Sequence, residues 1–506
     1  MKKKFYLLLI SFFIIQLSFA QIYIIKGTVV DKVNQPIVGA TVMVDGTSHG
    51  SVTDMNGEFT IKDVSSGATV SFSFVGMKTK KIKASSDMKV TLEDDMQNLE
   101  DIIVIGYGSA KAKDLTSPIT VVKSADISSV PSTSPMTAIQ GKVAGVNVIS
   151  SGTPGSGPTV RIRGAGSFAN SSPLYVVDGM FYDDINFLNN EDIEEMSILK
   201  DASAAAIYGV RAANGVVIVT TKKGKKNQPA KITYDGYVGF QKATNVLKMA
   251  NSQQYATMLL EANYDAYSPI IKSSIDKYGG SYSGSDFHNW AFGSDTDWYK
   301  ELLRTAIISN HSLGITGGSE KATYSLGISY LYQDGVMDVK NNYKRLNFRA
   351  ALDYDATSWL KVGFSSVVSI SNQVLPNNSA WQQAFNAPSI YPVYDANNTS
   401  TFPNKYASPS SVGFTSNFYN PVATANYFNS KNDSHQYLTN LYAQINLIPE
   451  KLNVKTSVNY NYQSINGKVF TPTYYVSSWQ QNTTTSLTKS TTSYDNYIWD
   501  NIMTYR

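Results

Sequence analysis

The fold of this chain is decided by PLYVVDGM at Pro173–Met180 and by ILKDASAAAIYGVRAANGVVIVTTKKGK at Ile198–Lys225, which a short acidic segment joins. The apolar residues before Asp178-Gly179 predict a strand and a tight turn, because Asp-Gly accepts the positive φ angles that such a turn needs. Val216–Thr220 is nearly continuous Val, Ile and Thr, which is typical of a strand buried on both faces. The stretch therefore predicts a compact α+β unit.

Two neighbouring segments complete this unit. Small residues predict a short broken helix, with Asp201 as its N-cap and Gly209 as its stop. Upstream, the run SGTPGSGPTVRIRGAGS at Ser151–Ser167 predicts a glycine-rich loop and then a strand that carries Arg161 and Arg163 on one face.

Together, these segments closely resemble the plug domain of TonB-linked outer-membrane proteins of the SusC/RagA family. The resemblance is strong at Gln140–Lys225 and diffuse in the residues that follow. It implies a plug inside a transmembrane β-barrel and import of a bulky nutrient, either a glycan or an oligopeptide. It also implies TonB with its inner-membrane energising complex, a SusD-like surface lipoprotein and outer-membrane lipid as partners. The location implied is the cell outer membrane, with the N-terminal domain on the periplasmic side.

Composition limits the other function classes. With 506 residues the chain is too long for one ordinary domain, and 16% charged with 12% aromatic residues is unusual for a soluble enzyme. A net charge of +4 gives no support for nucleic acid as a partner. Cysteine is absent, the four histidines lack metal-binding spacing, and no nucleophile elbow or P-loop occurs. We therefore expect no enzyme, no catalytic residue, no cofactor and no metal site.

The N-terminal region predicts a secreted chain that starts with a small β domain. Residues 1–20 have the features of a signal peptide, with Lys2–Lys4 before an apolar run and a small-x-small site at Ser18–Ala20. Residues 21–92 contain short alternating strands, such as Val70–Phe74, separated by turns, and predict a β-sandwich. Their pattern also resembles the carboxypeptidase-regulatory-like extension of the same family.

A linker with a TonB box is expected at residues 93–113, because the resembled family carries this box between the sandwich and the plug. In this linker, a short apolar run with high β propensity follows the acidic residues Glu93–Asp95. Such a segment can add as an edge strand to a sheet of a partner protein. An ordinary strand of the sandwich or plug is the alternative. The predicted TonB box comprises Glu100, Asp101, Ile102, Ile103, Val104 and Ile105.

The plug is expected at residues 114–226, and it contains charged side chains whose partners must be identified. Charges inside a barrel lumen need partners, so we expect Arg161 and Arg163 to pair with the barrel wall or with Asp178, which precedes Gly179 in the turn. Solvated surface charge is an equally acceptable alternative.

Residues 227–506 predict amphipathic strands of an antiparallel transmembrane β-barrel. Leu346, Phe348, Ala350 and Leu352, for example, alternate with Arg345, Asn347, Arg349 and Asp353. We count about eight such strands, whereas a barrel that holds a plug has about 22, so we expect an incomplete barrel belonging to a longer transporter. The expected fold class is mainly β: a sandwich, an α+β plug and this partial barrel, joined by long polar loops.

The function expected from these features is import through a TonB-dependent outer-membrane receptor. The alternative is a non-transporting surface or adhesion protein with the same barrel, which would account for the loops rich in aromatic and amide residues but not for the plug.

Overall fold

The computed structural model describes residues 22–32, 34–45, 47, 49–65, 67–74, 77–93, 102–105, 108–111, 119–166, 171–284, 286–414, 418–449 and 451–505. The predicted signal peptide, and Glu100 and Asp101 of the predicted TonB box, lie outside the described residues. The chain divides into two compact units, the first made of Met1–Ile102 with Lys111–Asp114 and the second of Ile103–Ala110 with Leu115–Arg506.

The first unit is a β-sandwich. Its two sheets have the strand orders β4-β1-β7 and β3-β2-β5-β6. Phe59 from one sheet packs edge to face on Phe72 from the other, with ring centroids 5.4 Å apart, so the alternating apolar residues form a core between the sheets. The strands are β1 (Ile22–Val30), β2 (Thr41–Val44), β3 (Gly50–Val52), β4 (Glu58–Ser65), β5 (Thr69–Ser73), β6 (Lys80–Lys83) and β7 (Asp87–Thr91).

The α+β unit, called the plug below, follows a two-stranded ribbon of β8 (Ile102–Ile105) and β9 (Gly108–Lys111). Its main sheet has the order β10-β15-β16-β13-β14, and β11 pairs with β12. The strands are β10 (Ile119–Lys123), β11 (Val146–Ile149), β12 (Thr159–Ile162), β13 (Leu174–Val177), β14 (Met180–Tyr182), β15 (Ile193–Leu199) and β16 (Val216–Thr221). The helices are Ser124–Ser128, Pro135–Ala138 and Ala202–Ala205, with 3-10 turns at Asn190–Asp192 and Ala206–Ala212.

Strand β16 occupies the centre of the plug sheet, as expected for a strand buried on both faces. The acidic segment before Ile198 was expected to be a connection, but it contributes the 3-10 turn Asn190–Asp192 and the inner strand β15, which lies between β10 and β16. Irregular burial on β15 explains why no alternation was visible in the sequence. Gly209 interrupts the 3-10 segment with φ 64 and ψ −153, a conformation that favours glycine.

The rest of the chain builds an eight-stranded antiparallel sheet, called the wall below, in the order β17-β20-β21-β22-β23-β24-β25-β28. Among the described strands β17 and β28 do not pair with each other, so the barrel is partial. The strands of this region are β17 (Gln228–Gln241), β18 (Gly280–Ser281), β19 (Ala291–Phe292), β20 (Ala306–Gly318), β21 (Ala322–Asp334), β22 (Asn342–Asp355), β23 (Leu360–Leu375), β24 (Asn429–Ile448), β25 (Leu452–Thr471), β26 (Tyr474–Tyr475), β27 (Gln481–Asn482) and β28 (Ser486–Tyr505).

The predicted number of wall strands is confirmed, but three of them are longer than expected. β24, β25 and β28 each have 20 residues, against the roughly 9 to 11 needed to cross a membrane. No helix in the described part of the chain is long and apolar enough to span a bilayer.

The long connections at one end of the wall are folded, which corrects the expectation of polar loops. Residues 242–305, 376–428 and 472–485, together called the cap, share apolar cores. Asn420 is fully buried and exchanges hydrogen bonds with Gln480, which joins two of these connections. The cap helices are Ser252–Ala262, Tyr264–Tyr278, Trp298–Leu302, Ser379–Asn386 and Pro421–Asn426, with 3-10 turns at Phe287–Asn289 and Pro409–Val412.

Candidate functional site

The candidate site is the surface where the plug meets the inner face of the wall. Strand β22 alternates between large apolar side chains on its outer face and Arg345, Asn347 and Arg349 on its inner face. These three side chains are at most 5% exposed, because the plug covers them. Charges and amides buried to this degree need hydrogen-bonding partners, and the plug supplies them.

Arg349 forms a buried ion pair with Asp192 of the plug. Its Nε donates to Asp192 Oδ1 at 2.9 Å, and the two side chains are only 3% and 7% exposed. The same guanidinium donates to the Lys222 carbonyl at 2.6 Å and to Ser325 Oγ at 2.9 Å. Gly327 lies opposite Arg349, and a Cβ there would stand 2.9 Å from Asp192 Oδ1, so glycine leaves room for the pair.

Arg345 and Asn347 bind backbone carbonyls of the plug. Arg345 donates to the carbonyls of Thr133 and Asn186. Asn347 donates to the Phe187 carbonyl at 2.7 Å and accepts from Ser369 at 3.0 Å. These bonds satisfy carbonyls of irregular plug segments that have no strand partner there. Together with the Arg349 pair, they form what we call the sealed side of the plug.

The glycine-rich loop of the plug reaches the cap end of the wall. The Gly155 amide donates to Gln333 Oε1 at 2.9 Å, and Gln373 Nε2 donates to the Pro154 carbonyl at 2.7 Å. Gly155 has φ +70, and an added Cβ would overlap the Tyr343 ring. Glycine is thus required here by conformation and by space.

Next to β24, β25 and β28 the plug touches the wall at Leu438 and Ile498, which pack on the plug core. A cleft with a volume of about 910 Å³ opens there, which we call the cleft side. Its wall is lined by the amides Gln436, Asn461, Gln463 and Asn496, and its plug face by Asp183, Asp184, Arg211 and Asn214.

The structure places the predicted plug charges differently from expectation. Arg163 lies one residue beyond β12 with φ 57, and its guanidinium pairs with Asp201 at 2.5 Å, within the plug. Asp201 occupies the N-cap position, but its side chain makes no capping hydrogen bond, because the carboxylate is bound to Arg163. Arg161 is exposed on β12. The expected pairing of Arg163 with the wall or with Asp178 is therefore wrong.

The Asp178-Gly179 turn serves the plug sheet. The two residues have φ 47 and φ 93 and join β13 directly to β14, since Val177 pairs with Met180. The Asp178 carboxylate accepts from the Thr221 amide at 3.0 Å and from the Thr221 hydroxyl at 2.6 Å. It therefore links the hairpin to β16.

The described part of the predicted TonB box, Ile102, Ile103, Val104 and Ile105, is strand β8, which pairs with β9. Its role in binding TonB stays a prediction.

The electrostatics of the sealed side single out Glu191, next to Asp192. Burial, followed by repulsion from Asp235, raises the pKa of the Glu191 carboxyl; Asp192 adds to the rise and Lys222 opposes it. Among the described residues no cluster of His, Asp and Glu could hold a metal ion.

Sequence reasoning found the polar face of β22 but missed its partner. The signal on the wall was three long polar side chains at every second position of an otherwise apolar strand. Asp192 carried no such signal, because it is one of several acidic residues in its segment and lies 157 positions from Arg349.

Comparison with known proteins identifies the sandwich and the plug. Residues 111–216 match the family described as TonB-dependent Receptor Plug Domain, and residues 25–104 match the CarboxypepD_reg-like domain. The TonB-dependent receptor SusC of Bacteroides thetaiotaomicron is 35% identical over 335 residues, which covers 64% of this chain and 31% of SusC. The chain belongs to the SusC/RagA family of TonB-dependent receptors.

Two further similar proteins give the same picture. The TonB-dependent receptor P3 of Formosa agariphila is 32% identical over 467 residues, covering 89% of this chain and 43% of P3. The RagAB peptide importer in its open-open state matches with a TM-score of 0.61 and 27% identity, covering 75% of this chain and 44% of that one. The chain spans less than half the length of each of these relatives.

Proposed function

We propose that the protein imports a bulky nutrient, a glycan or an oligopeptide, across the cell outer membrane in a TonB-dependent manner. One observation carries the proposal: a folded plug is held against the inner face of the wall by buried polar contacts such as Arg349 with Asp192. A plug held in this way blocks a lumen until work is done on it. A protein that only displays loops at the surface has no use for such an element, so the plug favours import over adhesion.

TonB, energised by its inner-membrane complex, is proposed to bind Glu100–Ile105 and to pull. The pull would act first on the β8–β9 ribbon and then on β10, which lies at the edge of the plug sheet and pairs with β15. An edge strand can detach without breaking the other strand pairs. Because β15 begins next to Asp192, loss of β10 would then loosen the element that positions this carboxylate.

The remaining partners follow from the family. We propose a SusD-like surface lipoprotein that delivers substrate at the cap, outer-membrane lipid around the wall, and the sandwich on the periplasmic side. The similarity to the RagAB peptide importer supports an oligopeptide as one of the two nutrient classes. Nothing in the composition supports nucleic acid as a partner or an enzymatic activity.

Uptake by cells expressing the protein tests this proposal. Labelled neutral oligosaccharides and labelled oligopeptides are supplied with and without an energised inner membrane. We expect uptake of one class, dependent on energy, and its loss when Ile102–Ile105 is deleted, while the protein stays in the outer membrane. Replacing Ile103 by Val is the matched control, because it keeps a β-branched side chain, and it should leave uptake intact. Binding without uptake, unaffected by energy or by the deletion, would instead establish the adhesion alternative.

A further inference from the structure

The wall strands β24, β25 and β28 are longer than a membrane crossing needs, and the surplus lies at the cap end. Each of the three strands has 20 residues, and each meets a connection of the cap. The exposed large apolar side chains of β24 all lie within Tyr437–Ile448, which is close to the roughly 9 to 11 residues of a transmembrane strand. Residues 429–436 therefore continue β24 beyond the apolar band that faces lipid.

The outer face of this projecting part carries a row of three lysines. Lys431 lies directly opposite Lys468 in the β24–β25 pairing, and Lys468 lies directly opposite Lys489 in the β25–β28 pairing. Strand alternation puts Lys431 on the same face as Tyr437, whereas Leu438 on the other face packs on the plug core. The row thus points away from the plug, and Lys468 and Lys489 are exposed.

Such a row is electrostatically unfavourable in the absence of a ligand. Side chains directly opposite each other on neighbouring strands are about 5 Å apart at Cβ, and like charges at that distance repel. Lys431 pairs with Asp433 at 2.9 Å, but among the described residues neither Lys468 nor Lys489 forms an ion pair. Since β25 is paired on both sides, Lys468 does not serve to protect an open strand edge either. A ligand with several negative groups would remove the repulsion.

A layer of hydroxyl and amide side chains lies between the lysine row and the apolar band. On the outer faces of β25 and β28 this layer consists of Ser464, Asn466, Thr491 and Ser493. Thr491 donates to Asn466 Oδ1 at 2.9 Å across the two strands. Hydroxyl and amide groups both donate and accept hydrogen bonds, as the hydroxyl groups of sugars do. The layer therefore suits a saccharide.

The distance of the lysine row from the apolar band indicates the size of the head group. Lys431 precedes Tyr437 by six positions, which is roughly 20 Å along a strand and roughly 15 Å along the membrane normal for a strand tilted by about 40°. The head-group layer of an ordinary bilayer adds only roughly 5–8 Å to the hydrocarbon core on each side. A head group of several sugars reaches the row, whereas a simple phosphodiester does not.

We propose that the outer face of β24, β25 and β28 binds an anionic glycolipid. Its acyl chains lie on the apolar band, its sugars on the hydroxyl and amide layer, and its phosphate or carboxylate groups on Lys431, Lys468 and Lys489. The proposed function enters only through the orientation, since the cap has to lie on the outside of the cell. The site is specific, in contrast to the general contact of the wall with outer-membrane lipid.

Binding is measured on the full-length protein, purified in a neutral detergent and freed of lipid. The probes are lipopolysaccharide, a neutral glycolipid with a head group of similar size, phosphatidylglycerol and inorganic phosphate. The double variant Lys468→Gln/Lys489→Gln removes two charges of the row. The matched control is Lys451→Gln, because Lys451 is exposed in the turn that joins β24 and β25 at their opposite ends.

We expect the double variant to bind lipopolysaccharide about tenfold more weakly than the parent protein, and Lys451→Gln to bind it like the parent. High salt should reduce the difference, and the neutral glycolipid should bind the parent and the double variant equally. Equal affinity of both for lipopolysaccharide would overturn the site. Competition by inorganic phosphate, or equally tight binding of phosphatidylglycerol, would overturn the assignment to a glycolipid. Uptake is measured separately, so these outcomes do not depend on the import function.

Urea unfolding of the wall provides a second measurement. Without lipid, Lys468→Gln should resist urea at least as well as the parent protein, because the substitution removes two like-charge contacts. Added lipopolysaccharide should reverse this order by stabilising the parent more. If Lys468→Gln does not fold, Lys489→Gln at an exposed position takes its place. Stabilisation of parent and variant to the same extent would show a solvated lysine face and overturn the proposal.

Discussion

The plug meets the wall through charged and amide groups bound at hydrogen-bonding distance on one side, and across an open polar cleft on the other. On the sealed side, Arg349 and Asn347 are buried and each binds more than one partner. On the cleft side, Asn496 is exposed and Gln463 half-buried, whereas Gln436 and Asn461 are each 6% exposed. The same strand alternation therefore produces two different interfaces, and the difference lies in whether the plug presents a partner at the right position.

The largest effect is expected from breaking the buried ion pair. Arg349→Met leaves the Asp192 carboxylate buried without its counter-charge, so the free energy of plug unfolding should fall by about 3–5 kcal/mol. Urea unfolding of the purified protein, followed by hydrogen exchange at plug amides, measures this. If the sealed side is held as described, the double variant Asp192→Asn/Arg349→Met should recover part of the loss.

A matched exposed pair provides the control for that comparison. Lys226 and Asp355 also form an ion pair, but their side chains are 51% and 27% exposed. Lys226→Met should therefore cost only about 0–1 kcal/mol. Equal losses in the Arg349→Met and Lys226→Met variants would show that the buried pair does not hold the plug.

The glycine-rich loop offers the next test. Gly155→Ala brings a Cβ into the Tyr343 ring and should cost about 1–3 kcal/mol from overpacking, in addition to backbone strain. Gly152→Ala, in the same loop, shares the positive φ (+72) but has nothing within 4 Å of its Cβ, so it measures the strain alone. Similar losses for both, in the same urea titration, would mean that the Tyr343 contact contributes nothing.

Amide truncation compares the two sides directly. Asn347→Ala leaves the Phe187 carbonyl and the Ser369 hydroxyl without their partner in a buried place, and should cost about 1–3 kcal/mol. Asn496→Ala, in the exposed cleft, should change the free energy of plug unfolding by less than about 0.5 kcal/mol. A large loss of stability for Asn496→Ala would show that the cleft amides hold the plug, contrary to the contrast drawn above.

How much of the fold the sequence predicts depends on how far apart in the chain the residues of each sequence pattern lie. Period-two alternation is local, so it identified the wall strands and the polar face of β22. The buried strand at Val216–Thr220 was identified by an equally local signal, its continuous run of Val, Ile and Thr. Asp-Gly likewise identified the turn between β13 and β14, since turn geometry depends on two adjacent residues. Strand β15 was not predicted, because its sequence contains acidic residues and its buried and exposed side chains do not alternate.

Pairings between distant segments could not be predicted in the same way. Nothing in Asp192 or Arg349 indicates that they meet, and Arg163 has its partner in Asp201 rather than in the wall. The cap was expected to be polar loops, because its apolar residues come from three separate connections and form a core only after these assemble. Such contacts depend on how the strands order the chain in space, which a one-dimensional pattern does not contain.

The smallest effect expected concerns pH on the sealed side. The pKa of Glu191 is raised in the folded plug, chiefly by burial and then by the nearby Asp235, so the folded state holds this proton to higher pH than the unfolded chain does. The free energy of plug unfolding should therefore fall as pH rises from the ordinary carboxyl pKa through the raised one. Glu191→Gln should remove that part of the fall and stabilise the plug at neutral pH, while Glu194→Gln, at an exposed position on β15, should keep it. Urea titrations at several pH values measure this dependence. Identical pH dependence in the Glu191→Gln variant and the parent protein would show that neither burial nor Asp235 acts on the Glu191 carboxyl. The stability of the sealed side would then come from its hydrogen bonds and the Arg349 pair alone.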